Sequence, residues 1–140
     1  MSLTLDQART IIAAARAHGR AHDMAPLCIA VLDAGGHLRA FEREDGVANR
    51  RFEVAHGKAH GAISLGFGSR TLGELAVQRP HFIAGVTSAI GGALVPVPGG
   101  VLVIDHDETI GAVGVSGDSS DNDEAAAIAG IEAAGLTPRT

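Results

Sequence analysis

The chain has 140 residues, of which 46% are hydrophobic, 19% charged and 3% aromatic, with 19 Gly, four Phe and no Trp or Tyr. A chain of this length fits one domain and buries about 68–70% of its unfolded surface, enough for a real core. Eleven Lys plus Arg against 16 Asp plus Glu give a net charge of −5, which, with so few rings for base stacking, excludes nucleic acid as a partner and argues against attraction to anionic membranes.

The start, Met1 to Asp6, has neither the charged beginning nor the apolar stretch of a signal peptide, and no apolar run approaches 18 residues. The expectation is a soluble, cytoplasmic protein. Thr4 and Gln7 stand in capping-box spacing, and Leu5, Ala8, Ile11, Ile12 and Ala15 recur at helical intervals. That predicts a first helix running to about His18 or Ala21. After Pro26, residues 27–32 form an apolar run of strand length, Asp33-Ala34-Gly35-Gly36 reads as a turn, and residues 38–43 read as a return strand. Cys28, the single cysteine, has no partner for an internal disulfide and sits among apolar residues, as a buried thiol does.

From Asn49 to about Leu65 the pattern predicts a largely enclosed helix that ends at Gly66. Thr71-Leu72-Gly73-Glu74 reads as the cap of a short helix, Pro80 as the start of a turn, and Gly91-Gly92 and residues 96–100 as loop. Residues 101–104 and 110–115 form a second predicted hairpin around the acidic turn Asp105 to Glu108. The last helix is predicted to begin with Ser120 as its N-cap, to carry acids in its first turn, and to end near Gly135 with Pro138 beyond. Clustered hairpins, rather than alternating strands and helices, predict a single α+β domain with an antiparallel sheet flanked by helices.

Particular residues say more than the periodicity. Residues 29–38 lead into Arg43-Glu44-Asp45-Gly46-Val47, followed by Ala55, Lys58-Ala59, Ser69-Arg70-Thr71-Leu72, Gly99-Gly100-Val101, Gly111 to Gly117, and Asp121 with Asp123-Glu124. In this order and spacing, from about residue 3 to 135, the set resembles the GlcG/HbpS-like family of haem-degrading or haem-binding domains. The resemblance implies a profilin-like or PAS-like antiparallel sheet and a homo-oligomer. It also implies a ligand that differs between relatives: haem or another tetrapyrrole in some, a small metabolite in others. Fold similarity does not choose among these.

His56 and His60 are four apart, so on a helix both rings share a face; they are candidate iron ligands or proton carriers. No third ligand follows at a fixed spacing, and no dedicated metal site is expected. Lys58 lies between them on another face. It is a candidate to neutralise a substrate carboxylate or a haem propionate, and equally a candidate for a structural ion pair. Arg43 with Asp45 at a strand end can grip a carboxylate or pin the hairpin to a helix. Gly114, Ser116 and Gly117 form a strand-to-helix turn of the kind whose N–H groups hold an anion. His18 and His22 repeat the four-residue spacing at the end of the first helix and read as a surface pair.

Two functions follow. The first is a small-molecule-binding protein whose ligand, haem or another planar carboxylated molecule, sits near Arg43, Lys58 and the Gly114 to Gly117 turn. The second is a small catabolic enzyme of hydrolase or isomerase type, with His56, His60 and Lys58 as catalytic groups acting on a carboxylated intermediate of aromatic or glycolate metabolism. An accessory oligomer without chemistry is the third alternative. Haem would find no Tyr ligand here and few rings to pack against, which weighs toward a small polar ligand.

Overall fold

The computed structural model describes residues 1–140. The elements in chain order are α1 (Leu5–Ala21), β1 (Cys28–Asp33), β2 (Leu38–Arg43), α2 (Arg51–Leu65), α3 (Ser69–Gln78), α4 (Pro80–Ala89), β3 (Gly100–Asp105), β4 (Glu108–Ser116), α5 (Ser120–Ala133) and β5 (Thr137–Arg139). The five strands form one antiparallel sheet in the order β2-β1-β4-β3-β5. The expected layered α+β domain with its two hairpins is what the chain adopts.

The central strands are apolar throughout because both faces of the sheet are covered. Side chains alternate across a strand, so Ile29, Val31, Val101, Val103, Val113 and Val115 join Ala8, Ile11, Ile12 and Ala15 of α1 and Ala126, Ala127 and Ile131 of α5 in the main core. The other set, Leu32, Leu102, Ile104 and Ala112, meets Ala59 and Ala62 of α2, while Cys28 and Ala30 meet Ala55. Around Gly114 the facing residues Ala30, Ala55 and Ala59 are small, so α2 lies close to the sheet there: a Cβ on Gly114 would collide with the Ala55 carbonyl. Helices α3 and α4 form an arm around Leu72, Ile83 and Leu94, away from the sheet.

Several predicted boundaries move, each for a local reason. Ser119, not Ser120, is the N-cap of α5, its side chain accepting from the Asn122 N–H. Pro80 opens the helix α4 rather than a turn, because the first helical position needs no N–H. Pro138 lies within β5 instead of merely ending the chain's order; β5 is an edge strand, where a missing donor is tolerated. Helix α3 starts at Ser69, whose buried hydroxyl accepts from the Gly100 N–H at 2.6 Å.

Candidate functional site

One end of the sheet gathers most of the residues singled out above: β1 and β3 begin there, β2 and β4 end there, and the N-terminal halves of α2 and α5 lie over it. Lys58 is 1% exposed. Its ammonium donates to the Val115 carbonyl at 2.9 Å and to Asp123 Oδ2 at 3.2 Å. The other Asp123 oxygen accepts from the Asp118 N–H at 2.9 Å, and the Gly117 N–H also favours its ionised form. The glycine turn therefore does cradle an anion, but that anion is the chain's own Asp123 carboxylate, neutralised by Lys58. Burial pushes the Lys58 amine below its usual range while Asp123 pulls it back, and burial pushes the Asp123 carboxyl up while Lys58 pulls it back.

The glycines of this end answer to close packing. A Cβ on Gly117 would strike the Pro26 carbonyl, and one on Gly99 would reach the Lys58 ammonium at 2.7 Å. Ser116 is buried and accepts from Arg51 Nη1 at 3.1 Å. Lys58, Gly114, Ser116 and Gly117 are thus brought together, and each is occupied by a partner within the chain.

The outer flank of α2 is different. Phe52, His56 and His60 follow one another at a four-residue spacing and stack in a column, with ring centroids 5.6 and 5.4 Å apart. Phe41 of β2 closes the column edge-on against Phe52 at 4.8 Å. All four rings are half-buried, so they form a shelf open to solvent. His60 Nδ1 lies 2.8 Å from the Ala93 carbonyl. A carbonyl only accepts, so Nδ1 carries the proton and Nε2 keeps its lone pair. Burial, then the neighbouring His60, lowers the pKa of His56, which keeps that ring neutral.

Arg43 pairs in register with Cys28 and therefore points to the α2 side of the sheet, as Phe41 does opposite Ala30. Arg43 and Arg51 are both close enough to the buried Cys28 thiol to favour its ionised form, although burial is the larger influence and raises its pKa. Arg43 and Asp45 are exposed and do not pair with each other. Glu44 between them pins the hairpin instead: it accepts from the Leu27 N–H at 2.8 Å and from Arg16 and Arg20 of α1. Asp45 lines a concavity of about 230 Å³ with Arg16, Arg20, Pro26 and Glu44.

Arg51 and the two Phe residues were not selected by sequence reasoning. The signal for Arg51 was a violation of a rule, since Arg50 and Arg51 open α2, where the helix dipole disfavours cations. Phe41 and Phe52 lay in different predicted elements, and only strand register brings them together. No group of three or more His, Cys, Asp or Glu side chains converges on a point that could hold a metal ion. His18 and His22 stack on each other at 4.0 Å, apart from the α2 shelf.

Comparison with known proteins gives the family profile described as "Haem degrading protein HbpS-like" over residues 3–132. No curated protein matches the sequence significantly. Among solved structures the chain is similar to the Klebsiella pneumoniae protein ORFY, with 26% identity, TM-score 0.86 and coverage of 95% of this chain and 90% of that one. It is similar to HbpS, with 27% identity, TM-score 0.82 and coverage of 94% and 89%. A PduOC–haem complex shares the fold over the full length of both chains, with TM-score 0.88 at 22% identity.

Proposed function

The chain belongs to the HbpS-like family of haem-degrading proteins, and from that membership and the geometry of the α2 flank we propose that it binds haem on the shelf formed by Phe41, Phe52, His56 and His60. The observation that carries this reading is His60, whose Nδ1–H is committed to the Ala93 carbonyl and whose Nε2 is left as a lone-pair donor. A ring held this way has its tautomer and orientation fixed, which is how iron ligands are supported. Phe41, Phe52 and neutral His56 supply flat apolar surface to a macrocycle, and Arg43 and Arg51 supply charge for its carboxylates.

The residues present therefore fit the group. When bound, haem supplies a redox-active iron, while the chain's own side chains orient the ring and neutralise its carboxylates. Lys58, Ser116, Gly114 and Gly117 act in this reading as the frame that fixes α2 and Arg51, and Asp45 lies at its margin. The PduOC–haem complex, one of the structural neighbours, supports the reading.

The test is a haemin titration of the full chain. Saturable binding with a Soret shift at one haemin per chain is expected, and His60→Asn, which keeps a donor for the Ala93 carbonyl but removes the ligand nitrogen, should abolish the shift. No saturable uptake at micromolar haemin removes the proposal. A second reading, proton transfer on a small carboxylated substrate, draws on neutral His56 beside Arg43; turnover that survives His56→Phe would eliminate it.

A further inference from the structure

Helix α2 has a third side, which faces neither the sheet nor the shelf. Gly57 and Gly61, four residues apart and both buried, lie under the segment 93–97 that leads from α4 to β3. Gly91 and Gly92, both at positive φ, turn the chain from the end of α4 onto this side. The Val95 N–H donates to the Gly57 carbonyl at 3.1 Å. Leu94 sits directly on Gly61, where a Cβ would stand 2.8 Å from Leu94 Cγ and 3.3 Å from its Cα. Leu94 also belongs to the arm core with Leu72 and Ile83, so its side chain is held from both sides. The residue before it, Ala93, supplies the carbonyl that lies 2.8 Å from His60 Nδ1.

We propose that Gly61 is a positioning residue for His60: having no side chain, it lets Leu94 seat the segment on α2 and so keeps the Ala93 carbonyl on Nδ1, leaving Nε2 as the donor. The inference rests on His60 being the iron ligand. Two carbons in ordinary contact stand about 3.5–4.0 Å apart, so a methyl at Gly61 would make Leu94 retreat by about 1 Å. The Ala93 carbonyl adjoins Leu94 and moves with it, and a 2.8 Å hydrogen bond lengthened by that much is no longer one. A neutral imidazole released in this way takes either tautomer, and the form with its proton on Nε2 has no lone pair there to give. Because Leu94 is shared between the arm and α2, the seating of the arm decides which nitrogen of His60 is available to iron.

Long-range proton–nitrogen correlation spectra of the full chain read the tautomer of each neutral histidine without any haem, and the His60 ring is identified by its loss in His60→Asn. The wild type should carry the His60 proton on Nδ1. Gly61→Ala should move it partly or wholly to Nε2 and weaken haemin about tenfold or more, the scale of loss when a ligand's supporting partner is removed. Gly61→Ala combined with Leu94→Ala, which takes away the clashing Cγ, should restore both. Gly19→Ala is the packing control, since its Cβ would stand equally close, 2.8 Å, to Leu27 Cδ1 on the other side of the sheet; it should change neither. A wild-type ring without its proton on Nδ1, a Gly61→Ala ring that keeps it there, or release of the ring with haemin affinity unmoved overturns the proposal. A wild type with the proton on Nδ1 that takes up no haemin overturns the haem reading instead, and the hold of the segment on His60 stands.

Discussion

Helix α2 carries two opposite kinds of surface one residue apart. Its inner face sets Ala55, Ala59 and Ala62 on the sheet and sends Lys58 into a closed network in which both oxygens of Asp123, the Val115 carbonyl and the Asp118 N–H are paired. Its outer flank carries Phe52, His56 and His60, rings that stack on one another but leave Nε2 of His60 and the face of the column uncovered. No buried side-chain polar atom in the protein lacks a partner. The polar groups of the inner site are therefore paired within the chain, whereas the outer flank carries ring surface and an imidazole nitrogen without a partner in the chain. A charged residue enclosed among small ones is more telling about architecture than about chemistry, and a half-exposed imidazole with one nitrogen fixed points to chemistry.

The contrast can be broken most severely at Lys58. Lys58→Met leaves the Asp123 carboxylate buried without its counter-charge, and the loss of folding stability should be about 3–5 kcal/mol, read from urea denaturation. The double variant Lys58→Met, Asp123→Leu should recover much of that, since the unpaired charge is gone. A single-variant loss below about 1 kcal/mol would mean that the ammonium is not needed by the fold and is free for a ligand.

Next in size is Gly114→Ala, whose methyl would press on the Ala55 carbonyl. Overpacking of this kind costs about 1–3 kcal/mol, with α2 lifted from the sheet. Haemin affinity should fall with it if the shelf depends on that close approach. Stability lost with affinity intact would separate the two faces of α2 completely.

On the outer flank the order reverses, with little effect on stability and a clear one on binding. Arg43→Glu should weaken haemin about tenfold or more, equivalent to about 1.4 kcal/mol, by replacing an exposed guanidinium with a like charge for the carboxylates. Its denaturation midpoint should stay near wild type, because Arg43 is exposed and Glu44 pins the hairpin. An unchanged affinity would remove Arg43 from the site.

The smallest expected effect is with pH. Burial, and secondarily His60, holds the pKa of His56 below its ordinary 6.5, so the folded chain binds fewer protons there than the unfolded chain. The contribution is fully retained above the unfolded value and is lost as pH falls below 6.5 toward the folded value. Denaturation curves should show stability falling on acidification through that window, less steeply in His56→Phe. Equal slopes would place the responsible group elsewhere.

Much of the fold was legible because it rests on local patterns. The Thr4 and Gln7 capping box forms as expected, with Gln7 N–H on Thr4 Oγ1 at 3.1 Å and the reciprocal bond at 2.9 Å. Both hairpins follow from apolar runs bounded by turns, and the two-sided burial of the sheet follows from strands that are apolar throughout. The site was legible only in its residue types. Histidines four apart on a helix share a face whatever the fold, so the pairing of His56 and His60 could be read in advance. The partner of Lys58, by contrast, lies 65 positions away at Asp123, and the Phe41–Phe52 contact depends on the register of β2 against β1.

The sequence by itself determined most of the elements, though not α4 or β5, together with the layered antiparallel architecture and the family, because periodicity, caps and turn residues act over a few positions of chain. The tertiary structure alone decided which polar residues are spent on the fold and which remain free. That division depends on who faces whom across the sheet end, on whether a glycine leaves room for a neighbouring carbonyl, and on which nitrogen of His60 is already taken. These are contacts between segments far apart in the chain, and no local pattern encodes them.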